Sequence, residues 1–123
     1  LLPIYFEDGF DTEQVGPKST SRFLRFDPTA KQPSWEPLGE VRSPRGNIQP
    51  AVVEVAPNHL IAYSRRGGGY GPTKDGWLVR SESRDGGRTW SPGVDSAFPN
   101  PNSAVDFLKL TSGALLLVYN DHM

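Results

Sequence analysis

The sequence predicts an all-β chain built from a repeated unit of four short antiparallel strands. Three observations predict it. Thirteen glycines and 12 prolines in 123 residues, with 36% hydrophobic residues, suit many short strands and tight turns better than long helices. No window of helical length sustains apolar residues at i, i+3 and i+4. Apolar runs of strand length recur instead, with a period in the mid-fifties, each ended by turn-forming residues.

Leu1 to Phe6 is an apolar run of strand length, followed by a polar loop from Glu7 to Thr20. Ser21 to Phe26 alternates polar and apolar residues, the pattern of a half-buried strand. Asp27 to Ser34 turns, and Trp35-Glu36-Pro37-Leu38 is a short strand that Pro37 confines to an edge. Gln49 to Val55 rises into a strand, Ala56 to His59 turns, and Leu60 to Arg65 returns. A glycine-rich loop, Gly67 to Asp75, leads to the strand Gly76 to Glu82 and a turn closed by Trp90, which opens a fourth strand. Ser103 to Leu110 and Leu115 to Tyr119 are the last two strands, joined by the turn Thr111-Ser112-Gly113.

Stacked, these pieces repeat. Ala51-Val52-Val53-Glu54-Val55 aligns with Ala104-Val105-Asp106-Phe107-Leu108; Tyr5, Tyr63 and Tyr119 close equivalent strands, and Trp35 and Trp90 open equivalent fourth strands. A four-stranded repeat of this length marks a β-propeller blade or a similar antiparallel unit. The expected division is a partial blade over 1–45 (strands two to four), a complete blade over 46–98, and the start of the next over 99–123. Isolated blades leave apolar faces in water. The expectation is therefore a fragment, or a chain that closes a ring with other chains or missing blades, homo-oligomerisation included. A self-contained nine-stranded β-sandwich is the alternative.

Thirteen basic and 14 acidic residues leave a net charge of −1, which gives no electrostatic case for nucleic acid or an anionic membrane as partner. The absence of cysteine excludes disulfides and thiolate metal sites. No apolar run approaches the roughly 20 residues of a membrane-spanning helix. No metal-ligand set or cofactor motif is present. Gly67-Gly68-Gly69-Tyr70-Gly71 follows a strand but opens no helix, so it is no phosphate cradle; Tyr70 suits a sugar-stacking lid instead.

Ser83-Arg84-Asp85-Gly86-Gly87-Arg88-Thr89-Trp90 reads as a hairpin tip with internal hydrogen bonds from Asp and Ser/Thr side chains, pinned by an aromatic anchor. Its Ser83, Asp85, Gly87, Thr89 and Trp90 fill every defined position of the Asp-box (BNR) signature, Ser-x-Asp-x-Gly-x-Thr-Trp. Ile48-Gln49-Pro50, Asn100-Pro101-Asn102-Ser103 and Leu115 to Asp121 also resemble the predicted-neuraminidase branch of the sialidase-like BNR families. The resemblance covers roughly 46–121 well and 1–45 loosely. It implies a propeller of about six blades in relatives, with an axial glycan pocket, an arginine triad for the substrate carboxylate, a Tyr/Glu nucleophile pair and an Asp acid/base. It also favours a secreted or periplasmic setting. Where the family carries Arg-x-Pro, this chain has Gln49-Pro50.

Strand order places candidate residues without alignment. Strand-one starts and strand-two ends share one face, and the Asp-box turn falls on the other, where it reads as structural and where His59 also lies. The first face collects Glu7, Asp8, Gln49, Arg65, Arg66, Asn100, Asn102, Asn120, Asp121 and His122. Of these, Arg65 suits a sugar carboxylate held bidentately, and Gln49, Asn102 and Asn120 suit hydroxyl contacts. Glu7 and Asp106 are the candidate catalytic carboxylates. Asp106 aligns with Val53, so it is expected to be buried, either paired with an arginine as scaffold or serving as a site acid. The reading is part of a sialidase-like propeller glycoside hydrolase on acidic glycans. A non-catalytic glycan-binding propeller, or a polysaccharide lyase on uronic-acid polymers, are the rivals.

Overall fold

The computed structural model describes residues 1–7, 15–68 and 76–122, which form nine β-strands and no helix. β1 (Leu2–Phe6), β2 (Thr20–Phe26) and β3 (Trp35–Val41) make one antiparallel sheet in that order. β4 (Asn47–Ala56), β5 (His59–Arg66), β6 (Trp77–Ser83) and β7 (Val94–Pro99) make a four-stranded meander. β8 (Asp106–Lys109) and β9 (Leu115–Val118) form a two-stranded third sheet. β3 lies at a sheet edge, the place in a sheet where a proline such as Pro37 is tolerated.

The second sheet lies between the other two, and this explains the uninterrupted apolar run Ala51-Val52-Val53. Successive strand residues point to opposite faces, and here both faces are covered. Val52 packs against Phe23, Val41 and Ala62 on the side of the first sheet. Ala51 and Val53 pack with Phe107 on the side of the third. A two-layer sandwich has one such seam; this stack has two.

The Asp-box turn clasps one end of the stack. The Ser83 hydroxyl accepts from Gly87 N–H at 2.8 Å and donates to Asp85 Oδ1 at 2.8 Å. Asp85 accepts from Thr89 N–H at 2.9 Å and from the Thr89 hydroxyl at 2.5 Å. Gly86 and Gly87 take φ of 72° and 92°, a conformation costly for other residues. The backbone so exposed reaches both neighbours. Gly86 N–H donates to Asn58 O in the β4–β5 turn, Gly39 N–H of β3 donates to Gly87 O, and Arg25 of β2 donates to Gly86 O at 2.6 Å. Trp90 then stacks on Phe23 with ring centroids 4.3 Å apart. The turn thus joins two sheets.

Hydrogen bonds from the Thr89 hydroxyl, the Thr89 N–H and the Ser83 hydroxyl lower the Asp85 carboxyl from an ordinary 3.8 to about 2. A depressed folded-state value means the stabilisation is complete above the unfolded value and is lost as pH falls toward the folded one. Asp85→Asn is therefore expected to destabilise most above pH ~4, with parent and variant converging by pH ~2. Thermal melts across that window check it; a constant difference would contradict it.

Two expectations need correcting. Trp90 does not open the fourth strand: β7 begins at Val94, after Pro92 and Gly93, while Ser91 is held to β6 by its N–H on Glu82 O at 2.8 Å. Asp106 is not buried. Register places Asp106 opposite Val118, on the face away from Phe107 and Leu117, and its Oδ1 accepts the neighbouring Phe107 N–H at 2.8 Å. The parity of the repeat is right, because Ala51 and Val53 point the same way in their own sheet. There the third sheet covers them; among the described residues nothing covers Asp106. Leu108, Leu116 and Val118 share that face, exposed by 45%, 43% and 53%.

Candidate functional site

The end of the stack opposite the Asp box is built where β4 begins and β5 ends. Asn47 pairs with Arg66 and Ile48 with Arg65, but the next pair is Ala51 with Tyr63, so the register shifts across Gln49 and Pro50. Such a bulge re-aims a side chain. Gln49 takes φ 49°, an unusual value outside glycine. One repeat later Asn102 takes φ 62°.

Arg65 bridges these two left-handed amides. Its Nη1 donates to Gln49 Oε1 at 3.1 Å and its Nε to Asn102 Oδ1 at 2.7 Å; Asn102 Nδ2 in turn donates to Gly68 O at 2.9 Å. Arg65 is only 4% exposed, so the guanidinium is solvated by protein oxygens in place of water. The neighbouring Arg66, equally buried, donates from Nε to Asn100 O at 2.8 Å and from Nη1 to Gly67 O at 2.9 Å.

A second pair of amides anchors the strand entries. Buried Asn47 accepts Ser21 N–H through Oδ1 at 3.0 Å and donates to Val41 O at 3.2 Å and Ser43 Oγ at 3.0 Å. Buried Asn100 accepts Ser103 N–H at 3.1 Å and donates to Ser103 O at 2.9 Å. Strand-end topology places Asn100 on the rim but does not single out Asn47. The signal was present: Asn47-x-Gln49 recurs as Asn100-x-Asn102 in the register that aligns Ala51 with Ala104.

Of the residues singled out from sequence, the structure brings together Arg65, Gln49 and Asn102. Glu7 lies half-buried just past β1, its Oε1 enclosed and without a hydrogen-bond partner. Neither Glu7 nor Asp106 is hydrogen-bonded to Arg65, Gln49 or Asn102. Asn120 is exposed beyond β9, its carbonyl accepting His122 N–H at 3.0 Å. Asp8 and Tyr70 lie outside the described residues. At the opposite end, His59 Nε2 meets Glu82 Oε2 at 3.1 Å, and Arg80 and His59 together hold the Glu82 carboxyl below its usual range. Among the described residues, no three metal-ligating side chains come together.

A family model described as BNR repeat-like domain matches residues 1–123. No curated protein and no solved structure matches the chain.

Proposed function

The chain belongs to the BNR repeat-like domain family, and on that premise we propose that it forms part of a sialidase-like propeller glycoside hydrolase acting on acidic glycans. The observation that supports this reading is the convergence of Arg65, Gln49 and Asn102 from two successive units at one end of the stack. A guanidinium flanked by amides favours a ligand rich in acceptor oxygens, as a carboxylated sugar is. Further blades of the same repeat cover the apolar outer faces carrying Leu2 and Phe6 on one side and Leu108 and Val118 on the other.

The experiment is hydrolysis of an acidic glycan by the intact protein. Arg65→Ala is expected to raise KM by roughly tenfold to a hundredfold, because the amides it holds lose their orientation, while changing kcat much less. Unchanged KM would refute the site.

A second reading, glycan binding without turnover, is favoured by one observation. Asp106 sits exposed on the outward face of the third sheet, and neither candidate carboxylate is bonded to the arginine–amide cluster. Binding across a panel of glycans with no released sugar would decide for it.

A further inference from the structure

We propose that Arg65 is a positioning residue: from the seam between two successive units it turns the left-handed amides Gln49 and Asn102 oxygen-inward and leaves the N–H end of Gln49 to meet the ligand. The inference rests on the glycan-site reading above and assigns a division of labour within it.

Arginine carries five N–H donors and no acceptor. An amide that meets it must therefore present oxygen, which settles an orientation that a free Gln or Asn leaves open. Gln49 Oε1 and Asn102 Oδ1 are both taken in this way, at 3.1 and 2.7 Å. The Nε2 of half-buried Gln49 makes no hydrogen bond to the described residues, so its two N–H groups are the free polar end. Asn102 is fixed more fully, since Nδ2 also donates to Gly68 O at 2.9 Å. Both amides sit on backbone of positive φ, 49° and 62°, conformations that persist only where the surroundings hold them. Arg65 is the side chain that touches both. Because Gln49 belongs to the second sheet and Asn102 to the segment leading into the third, the same guanidinium also fixes the spacing between units. The free end at Gln49 is a donor, and it selects carboxylate, carbonyl or hydroxyl oxygens over ligand N–H groups.

The test uses the intact protein and the variants Gln49→Glu, Gln49→Leu and Arg65→Lys, with melting temperature and affinity for sialyllactose and for its neutral counterpart lactose as readouts. Gln49→Glu keeps an acceptor for Arg65 but removes the outward donors. Its melting temperature is expected to stay at or above the parent's, while sialyllactose affinity falls more than tenfold. Gln49→Leu loses both stability and affinity. Arg65→Lys keeps the charge but not the fork that spans two amides, so affinity for the two sugars falls by a similar factor. A loss confined to sialyllactose in Arg65→Lys would overturn the proposal, because the arginine would then be reading the carboxylate itself. Equal melting temperatures for Gln49→Glu and Gln49→Leu would overturn the oxygen-inward orientation. A parent that binds neither sugar overturns the glycan reading and the ligand-facing half of this inference, and the melting temperatures then judge the amide orientation alone.

Discussion

Phe23→Ala is expected to destabilise the protein by about 3–5 kcal/mol, the range for deleting a buried aromatic side chain. Phe23 is 1% exposed at the middle of β2, facing the second sheet, and packs with Val41 and Ala62. Its ring also stacks on Trp90, 4.3 Å away and 21° from parallel, and Trp90 Nε1 donates to Gly87 O at 3.1 Å. The substitution therefore opens a cavity between two sheets and removes the surface on which the Asp-box turn rests. Because the two rings share one contact, Phe23→Ala and Trp90→Ala are expected to be sub-additive in a double-mutant cycle. The Phe26–Trp35 pair, with centroids 4.9 Å apart, lies exposed by 40% and 51%; Trp35→Ala is expected to cost less than about 1 kcal/mol. Urea unfolding of the intact protein measures all three. Equal costs for Phe23 and Trp35 would contradict the seam between the sheets.

Gly67→Ala is expected to cost about 3 kcal/mol and to weaken glycan binding with it. A Cβ at Gly67 would lie 1.7 Å from the carbonyl oxygen of Arg45, which is backbone and cannot swing aside. Gly67 N–H donates to Gly46 O at 2.9 Å, and Gly46 itself runs so close to Gly16 that a Cβ there would meet its oxygen at 1.8 Å. Three passes of chain are thus stacked backbone on backbone at this end of the molecule. Forcing 45 and 67 apart displaces the end of β5, which carries Arg65 and Arg66. Gly16→Ala is the control, because nothing lies within 4 Å of the added atom. The expected result is a lowered melting temperature and a raised KM for Gly67→Ala, with Gly16→Ala close to the parent. A neutral Gly67→Ala would mean that the close approach does not hold the site.

What could be read from the sequence was whatever is encoded locally. The Asp box is eight consecutive residues whose side chains bond to one another, so composition and spacing specify it. Strand β2 shows in alternation, and β4 shows in an apolar run that needs both faces covered. β7 escaped because Trp90 matched Trp35 in the repeat, although one is a core stack and the other an exposed strand start. Asp106 misled for a related reason: a repeat fixes which face a residue points to, while burial depends on what is packed against that face. At the candidate site, strand-end topology placed Arg65, Gln49 and Asn102 on one side. Their mutual hydrogen bonds depend on a bulge and two positive φ values, which no side-chain pattern records. Asn47 was obscured in the same way, since it accepts a backbone N–H from Ser21 and donates to the Val41 carbonyl.

The central claim is that ligand chemistry belongs to the Arg65 end and that the Asp-box turn at the opposite end is a clasp. A crystal structure of the intact protein soaked with sialyllactose tests it most directly. The account predicts the sugar within hydrogen-bond distance of Gln49 Nε2, with the Ser83–Trp90 turn unoccupied. Sugar seated against Asp85 and Trp90, with Gln49 bare, would contradict it.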